Sequence, residues 1–243
     1  MNSAMSKYFS GKFERKKPKV SSQMHVGIIL DGNRRFAKKI SQEPWKGHEE
    51  GAKTVEALFD WCEELKIKQI TLYCFSIENF NRSEKEVKFL MNLFKKEFQR
   101  MLKNDKIKKN KVKIKFIGER ERLDKELQGI MKELEEKTKN YNNYQINFAL
   151  AYGGRQELLS AVKKIVKEKK EINEENFQNS LWLTENPDLI IRTGGEKRTS
   201  NFLPWQSVYS EWVFLDKMWP EFTKQDLKTA IKDFQNRERR FGK

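Results

Sequence analysis

The chain has 243 residues and carries 50 Lys and Arg against 35 Asp and Glu, which gives a net charge of +15. This surplus predicts an anionic partner (nucleic acid, a membrane surface or phosphorylated metabolites), while two cysteines and two histidines exclude a disulfide framework and a histidine-rich metal site. No apolar run approaches the ~20 residues of a spanning helix and the first residues lack a signal-peptide core, so we expect a cytoplasmic protein with at most peripheral membrane contact.

Predicted strands and helices alternate along one domain. Residues 1–23 are predicted to form a basic, loosely ordered segment, and residues 24–243 the domain itself. Apolar runs predict strands at His25–Leu30, Gln69–Phe75, Val112–Ile117, Gln145–Ala151, Asp188–Arg192 and Trp212–Leu215. Helical spacing predicts helices at Gly51–Leu65, Val87–Met101, Arg122–Thr138, Glu157–Lys169, Glu174–Leu183 and Thr223–Arg237. This order predicts an α/β fold with a mostly parallel six-stranded sheet flanked by helices.

Polar residues follow four of the predicted strands, where α/β sheets bind ligands. Asp31 ends the first strand, and Gly32 after it is expected to let a ligand approach the backbone closely. A lone carboxylate at such an edge suits Mg²⁺, which completes its shell with phosphate oxygens and water. The alternative makes Asp31 the N-cap of the next helix, and the sequence leaves both readings open. Ser83 with Glu86 three residues later predicts a capping box.

Two arginine clusters predict two anion sites. Arg34 and Arg35 begin a helical stretch, where arginine forks and helix N–H groups bind phosphate. In the second cluster Arg192, Arg198 and Ser200 surround glycines that are expected to expose backbone N–H groups. Two sites indicate two phosphorylated substrates, although a nucleic-acid groove could use the same arginines.

The sequence lacks the motifs of several common enzyme classes. The chain has no P-loop, and no G-x-G-x-x-G follows the first strand, which argues against nucleotide-binding versions of this fold. A haloacid-dehalogenase-type phosphatase requires a second aspartate two residues after the first, and that position is Asn33.

Five ordered motifs resemble the cis-prenyltransferases, the family of undecaprenyl and dehydrodolichyl diphosphate synthases. They are HVGIILDGNRRFAK from His25, GHEEGA from Gly47, YCFSIENFNRS from Tyr73, YGGR from Tyr152 and DLIIRTGGEKRTSNFLPWQ from Asp188, with Tyr209-Ser-Glu211 after them. The resemblance implies a Mg²⁺-dependent transferase that condenses isopentenyl diphosphate onto an allylic primer, farnesyl or geranylgeranyl diphosphate, to give a long cis-polyprenyl diphosphate.

The resemblance also implies roles for single residues. Asp31 and Glu211 would hold Mg²⁺, with Glu211 acting across a subunit boundary, and Asn79 would help remove the proton. The other substrate-binding positions that it implies are Gly32, Asn33, Arg34, Arg35, Phe36, His48, Ser76, Glu78, Phe80, Arg82, Arg192, Arg198, Ser200, Arg240 and Gly242. The element Arg240-Phe241-Gly242 implies a homodimer, since it reaches a neighbouring active site in family members.

The growing chain of the product is hydrocarbon and is expected to occupy an apolar tunnel under two helices. The expected walls are Ala52, Val55, Leu58, Phe89 and Leu93, although apolar stripes of this kind are usually plain core. The chain departs from bacterial members at Pro44, Phe36, Phe80 and Lys197, and its Ser-Ile-Glu-Asn-Phe string is closer to archaeal and eukaryotic relatives.

Two rival functions remain at this stage. A basic nucleic-acid-binding protein would show steeply salt-dependent affinity, and we expect no nucleic acid here. A non-catalytic partner subunit of a heteromeric prenyltransferase would be expected to lack Asp31, which is present.

Overall fold

The computed structural model describes residues 24–237, in which six strands alternate with eight α-helices. The strands are β1 (His25–Ile29), β2 (Gln69–Ser76), β3 (Val112–Ile117), β4 (Tyr144–Tyr152), β5 (Leu189–Arg192) and β6 (Glu211–Phe214). The helices are α1 (Asn33–Lys39), α2 (Lys46–Glu64), α3 (Glu84–Leu102), α4 (Asp105–Lys109), α5 (Lys125–Thr138), α6 (Gly154–Glu168), α7 (Glu174–Gln178) and α8 (Lys224–Asn236). The predicted basic segment at residues 1–23 lies outside the described residues.

The six strands form one sheet in the order β3-β4-β2-β1-β5-β6, and every pairing is parallel. The prediction of a parallel six-stranded sheet is therefore confirmed. All five residues of β1 are buried, as expected for a strand covered on both faces. Ile29 at the end of β1 pairs with Tyr73 on one side and with Arg192 on the other. The carboxyl ends of β2, β1 and β5 thus lie side by side.

Alternate side chains of the strands feed two hydrophobic clusters, one on each face of the sheet. Val26, Ile28 and Leu72 point into the larger cluster, which the α2, α3, α5 and α8 helices cover. Tyr73 and Ile190 point into the smaller one on the other face. The helices pack on the sheet because their apolar positions recur at helical spacing.

Capping residues set several helix boundaries. The side chains of Ser83, Asp124 and Thr223 accept hydrogen bonds from the backbone N–H groups of the first turns of α3, α5 and α8. The cap at Asp124 explains why α5 begins after the predicted Arg122. The predicted helix at Glu174–Leu183 is shorter in the structure, where α7 ends at Gln178 and the N–H of Leu183 donates to the Glu157 carboxylate at 2.9 Å.

Within residues 24–237 we find no helix that is long and apolar enough to cross a bilayer.

Candidate active site

A polar cavity of about 1060 Å³ lies at the carboxyl edge of the sheet. It brings together the polar segments after β1, β2 and β5, of which the third follows the other two by more than a hundred residues in the sequence. The predicted residues that line it are Asp31, Gly32, Asn33, Arg34, Arg35, His48, Ser76, Glu78, Asn79, Arg82, Arg192, Arg198 and Ser200. Pro44 also lines it, whereas Phe36 and Phe80 do not.

Asp31 lies between two arginines in this cavity. Arg192 donates from Nη2 to its Oδ2 at 2.9 Å, and Arg35 donates from Nη2 to its Oδ1 at 3.2 Å. The N-cap reading of Asp31 is wrong, because Gly32 is the N-cap of α1 and no side chain caps that helix. The Asp31 side chain is 29% exposed, so its carboxylate remains open to the cavity.

Arg192 is almost fully buried and joins Asp31 to the loop after β5. Its Nη1 group donates to Ser200 Oγ at 2.7 Å and also to the backbone carbonyl of Arg198. Its buried Nε atom makes no hydrogen bond. Arg192 therefore has a fixed position, and it places Ser200 and Asp31 on opposite sides of one guanidinium group.

The glycines of this loop act differently from the prediction. Gly194 and Gly195 do not present free N–H groups, because these donate to the carbonyls of Lys217 at 2.7 Å and Leu215 at 2.8 Å. Gly194 has φ +88°, and a Cβ atom there would lie 2.6 Å from Nη2 of Arg35. Its lack of a side chain makes room for the Arg35–Asp31 pair, not for phosphate.

Glycine is required at position 32 for a structural reason that differs from the predicted one. Its φ is +106°, and a Cβ atom would lie 2.8 Å from the Cα of Met218. The close approach expected of a ligand is therefore made by the protein backbone. Any larger residue would displace α1 and the Arg34–Arg35 pair that it carries.

Glu86 is a site residue that the sequence reasoning missed. Ser83 Oγ accepts from the N–H of Glu86 at 3.4 Å, as predicted, but the Glu86 side chain turns into the site. Its carboxylate lies 3.0 Å from Arg82 Nη1, 3.5 Å from His48 Nε2 and 3.7 Å from Arg34 Nε. The i,i+4 spacing of Arg82 and Glu86 was the available sequence signal.

Burial and neighbouring charges set the protonation states of His48 and Glu86. Burial is the main cause that lowers the pKa of His48, so its ring is neutral at pH 7. The contact with His48, followed by the charges of Arg82 and Arg34, lowers the pKa of Glu86. Glu86 is therefore an ionised carboxylate that holds three predicted substrate-binding residues from α1, α2 and the segment before α3.

The segment after β2 forms a 3₁₀ turn at Ile77–Asn81. The N–H of Ser76 donates to Asn79 Oδ1 at 3.1 Å, so this amide oxygen is used to hold the turn. Phe80 packs edge-on against Phe75 in the core, with ring centroids 4.9 Å apart. The structure thus places Phe80 in packing contact with the core.

Glu211 lies far from Asp31 within one chain. It pairs with Leu189 at the amino end of β5, three residues (about 10 Å) from the edge where Arg192 meets Asp31. Its carboxylate accepts from Arg237 Nη1 at 2.8 Å. Arg240 and Gly242 lie outside the described residues.

A second, mainly apolar cavity of about 510 Å³ runs between α2, α3 and the sheet. It shares Leu30, Asn33, His48 and Cys74 with the polar cavity, so the two adjoin. Three of the five predicted tunnel residues line it, namely Ala52, Val55 and Leu93. Leu58 is instead fully buried in the core, and Phe89 lies outside the cavity, under the ammonium group of Lys46.

The polar cavity fits Mg²⁺ bound together with a phosphorylated substrate. Asp31 supplies one accessible carboxylate, and arginines beside it can hold phosphate oxygens. Across residues 24–237 no three acidic, histidine or cysteine side chains cluster as a metal site. Such a donor set suits Mg²⁺, which uses one or two carboxylates and takes its other ligands from phosphate and water.

The chain is similar to several known proteins. The family described as “Putative undecaprenyl diphosphate synthase” matches residues 29–242. The chain is 46% identical over 228 residues to the tritrans,polycis-undecaprenyl-diphosphate synthase (geranylgeranyl-diphosphate specific) of Thermoplasma acidophilum, which covers 90% of this chain and 88% of that protein. The enzyme of the same name from Archaeoglobus fulgidus is 43% identical over 242 residues, or 96% of each chain.

A solved structure is similar over nearly the same length. Lavandulyl diphosphate synthase from Lavandula x intermedia, in complex with dimethylallyl diphosphate, gives a TM-score of 0.86 at 32% identity. The similarity covers 91% of this chain and 99% of that one.

Proposed function

Since this chain belongs to the undecaprenyl diphosphate synthase family, the cis-prenyltransferases that condense isopentenyl diphosphate with an allylic diphosphate, we propose that both substrates react beside Asp31. One observation carries this proposal. The Asp31–Arg192–Ser200 array lies in a polar cavity that continues directly into an apolar one. Diphosphates match the first cavity, and a hydrocarbon chain matches the second.

The allylic diphosphate binds on the α1 side of Asp31. Arg34 and Arg35 supply the charge there, and Asn33 and His48 line the passage to the apolar cavity. Because His48 is neutral, it contributes a hydrogen bond and not charge. Gly32 contributes by fixing the backbone that presents these residues.

Isopentenyl diphosphate binds on the other side, against the loop after β5. The Arg198 side chain is largely exposed and lies 2.5 Å from Glu196, in an ion pair that a diphosphate can replace. Ser200 Oγ already accepts from Arg192, so its O–H is free to donate to a phosphate oxygen. Arg192 then lies between the two diphosphates.

The reaction breaks the bond between the allylic carbon and its diphosphate oxygen and joins that carbon to the alkene of isopentenyl diphosphate. Arg35 and Arg192 hold the Asp31 carboxylate in place and supply positive charge beside the leaving group. Mg²⁺ held by Asp31 and the diphosphate oxygens would add charge neutralisation at the same oxygens.

A proton leaves the isopentenyl unit in the last step. Asn79 is not a base, and its Oδ1 is occupied by the Ser76 N–H. We propose that an oxygen of the released diphosphate accepts this proton, and we assign Asn79 the task of orienting that diphosphate through its Nδ2 group. Glu78 and Arg82 line the same cavity.

The growing chain extends into the apolar cavity, and the primer is geranylgeranyl diphosphate, the specificity in the names of the archaeal relatives. Cys74 lies at the junction of the two cavities. A Cys74→Trp variant is therefore expected to stop elongation after few additions while it still consumes primer. Unchanged product length in this variant would argue against the apolar cavity as the product site.

The active form is a cytoplasmic homodimer. An apolar stripe on α6 supports this proposal, because Leu159, Val162 and Val166 are 60%, 45% and 64% exposed. Glu211 begins β6, which is the edge strand of the sheet and the neighbour of β5. In a homodimer Glu211 and the Arg240–Gly242 element would act at the neighbouring site, which accounts for the distance between Glu211 and Asp31 in one chain.

Activity of the purified protein tests the whole proposal. Labelled isopentenyl diphosphate and geranylgeranyl diphosphate with Mg²⁺ should give long polyprenyl products, and EDTA should abolish them. Asp31→Asn should lower the rate at least about a hundredfold. Glu133→Gln, which removes an exposed carboxylate paired with Lys137 on α5, is the matched control and should keep the rate. Equal rates for the two variants would refute the role of Asp31.

A further inference from the structure

The apolar cavity has a second end near the amino edge of the sheet, opposite the carboxyl edge where Asp31 lies. From His48 at the polar end it follows α2 for fifteen residues, about 22 Å, to Glu63. There it reaches Lys103, Ile107 and Val112, at the start of β3. A hydrocarbon whose diphosphate lies near Asp31 therefore points its free end toward this distal mouth.

Lysines are concentrated in the segment that begins at the distal mouth, where Lys103 and Lys106 line the cavity. Residues 103–113 contain six lysines and one acid, Asp105. Four of these lysines are exposed, and within residues 24–237 none of the four forms an ion pair; we call them the lysine rim. They are Lys103, Lys108, Lys109 and Lys111.

The rim differs from the other cations at this mouth. Arg100 and Lys106 are paired with Glu56 and Asp60 of α2 at 3.3 and 2.7 Å, so their charge is compensated locally. The rim lysines have no such partner among residues 24–237, so their charge remains available to an anionic surface. Lysine on an exposed edge attracts such a surface without fixed geometry.

We propose that the lysine rim docks the distal mouth onto an anionic lipid bilayer, so that the apolar cavity opens toward the membrane. This proposal rests on the function proposed above, because it gives the hydrocarbon product a route into lipid. Charge complementarity supplies the attraction. Ile107 and Val112 at the mouth favour lipid over nucleic acid, since the acyl region of a bilayer can cover these apolar side chains, whereas an RNA backbone could pair only with the lysines.

The test measures partitioning of the full chain onto vesicles of phosphatidylcholine with or without phosphatidylglycerol, by flotation and without substrates. The rim variant carries Lys103→Gln, Lys108→Gln, Lys109→Gln and Lys111→Gln. The control variant loses the same charge from exposed lysines on α5 and α8. Its substitutions are Lys125→Gln, Lys132→Gln, Lys228→Gln and Lys232→Gln.

The wild type should bind only the anionic vesicles. At about fivefold per lysine near an anionic surface, the rim variant should bind a few hundredfold more weakly, and the control much less so. A dye on Lys108→Cys should shift its emission on binding, and one on Lys228→Cys should not. The native thiols do not compete, because burial raises the pKa of both Cys62 and Cys74 to about 12.

An equal loss of vesicle binding in the rim and control variants would overturn the proposal, because the net charge of the whole protein, and not the lysine rim, would then account for binding. Binding of the wild type to RNA but not to vesicles would also overturn it. Prenyl transfer in solution is the separate readout. A rim variant that keeps prenyl transfer but no longer floats with vesicles would support the role of the rim. Absence of prenyl transfer in the wild type would refute the proposed function and leave the vesicle result unaffected.

Discussion

Two exposed ion pairs line the distal mouth of the apolar cavity and tie α2 to α3 and α4, and breaking them should widen the mouth and lengthen the product. Glu56 of α2 pairs with Arg100 of α3 at 3.3 Å, and Asp60 pairs with Lys106 of α4 at 2.7 Å. We call these two pairs the α2 clasp. The perturbation is the double variant Arg100→Gln and Lys106→Gln.

The magnitude follows from exposure. All four side chains of the α2 clasp are between 50% and 65% exposed, so each pair contributes only about 0.2–1 kcal/mol. Their joint loss should raise the population of the open mouth by about 2- to 30-fold, since 1.4 kcal/mol corresponds to tenfold. The cost in stability stays below about 2 kcal/mol, or roughly 4–8 °C in Tm.

The assay is mass spectrometry of products made from geranylgeranyl and isopentenyl diphosphates. The double variant should shift the distribution to longer chains. Wild type in about 1 M salt should shift the same way, because charges are then screened beyond about 3 Å. Lys95→Gln, which breaks a pair between α3 and α5 away from the cavity, is the control. An unchanged or shorter product in the double variant would refute the reasoning.

Two further predictions concern stability. Burial lowers the pKa of His25 from 6.5 to about 4, so the unfolded chain binds a proton that the folded chain does not, and stability should fall by about 3 kcal/mol as the pH drops from 6.5 to 4. Urea unfolding of wild type and His25→Gln at both pH values isolates the contribution of His25 to the free energy of unfolding. If the wild type lost no more stability between the two pH values than the variant, the prediction would be contradicted. Glu157 is fully buried and accepts bonds from Tyr152 at 2.5 Å, Leu183 at 2.9 Å and Gln206 at 3.0 Å, so Glu157→Leu should cost about 3 kcal/mol because it leaves three buried donors without an acceptor. Calorimetry should give a Tm about 6–12 °C lower, against a smaller drop for Tyr152→Phe; equal drops would be the contrary result.

The parts of the fold that follow local rules were predictable. β1 is an unbroken buried run, and Ser83 caps α3 as its position before an apolar helix suggested. Asp31, Ser76 and Arg192 could be expected at one place, because parallel strands end at the same edge of a sheet. Periodicity and strand direction carry this information along the chain.

Features that depend on distant partners were not predictable in the same way. The N–H groups of Gly194 and Gly195 are taken by carbonyls about twenty residues later, which no local pattern reveals. Glu86 matches a capping box in sequence, but a buried position beside His48 gives its carboxylate stronger partners. Phe80 lies in a segment of site residues, yet its ring finds more apolar contact in the core.

Steady-state kinetics of two arginine variants tests the central claim, that two diphosphates bind on opposite sides of Asp31. Arg198→Gln should raise the KM for isopentenyl diphosphate by about 10- to 100-fold, the value of a charged hydrogen bond, and leave the KM for geranylgeranyl diphosphate within about twofold. Arg34→Gln should do the reverse. If both variants raised the same KM, or each raised both equally, the two arginines would serve one site and the account would be contradicted.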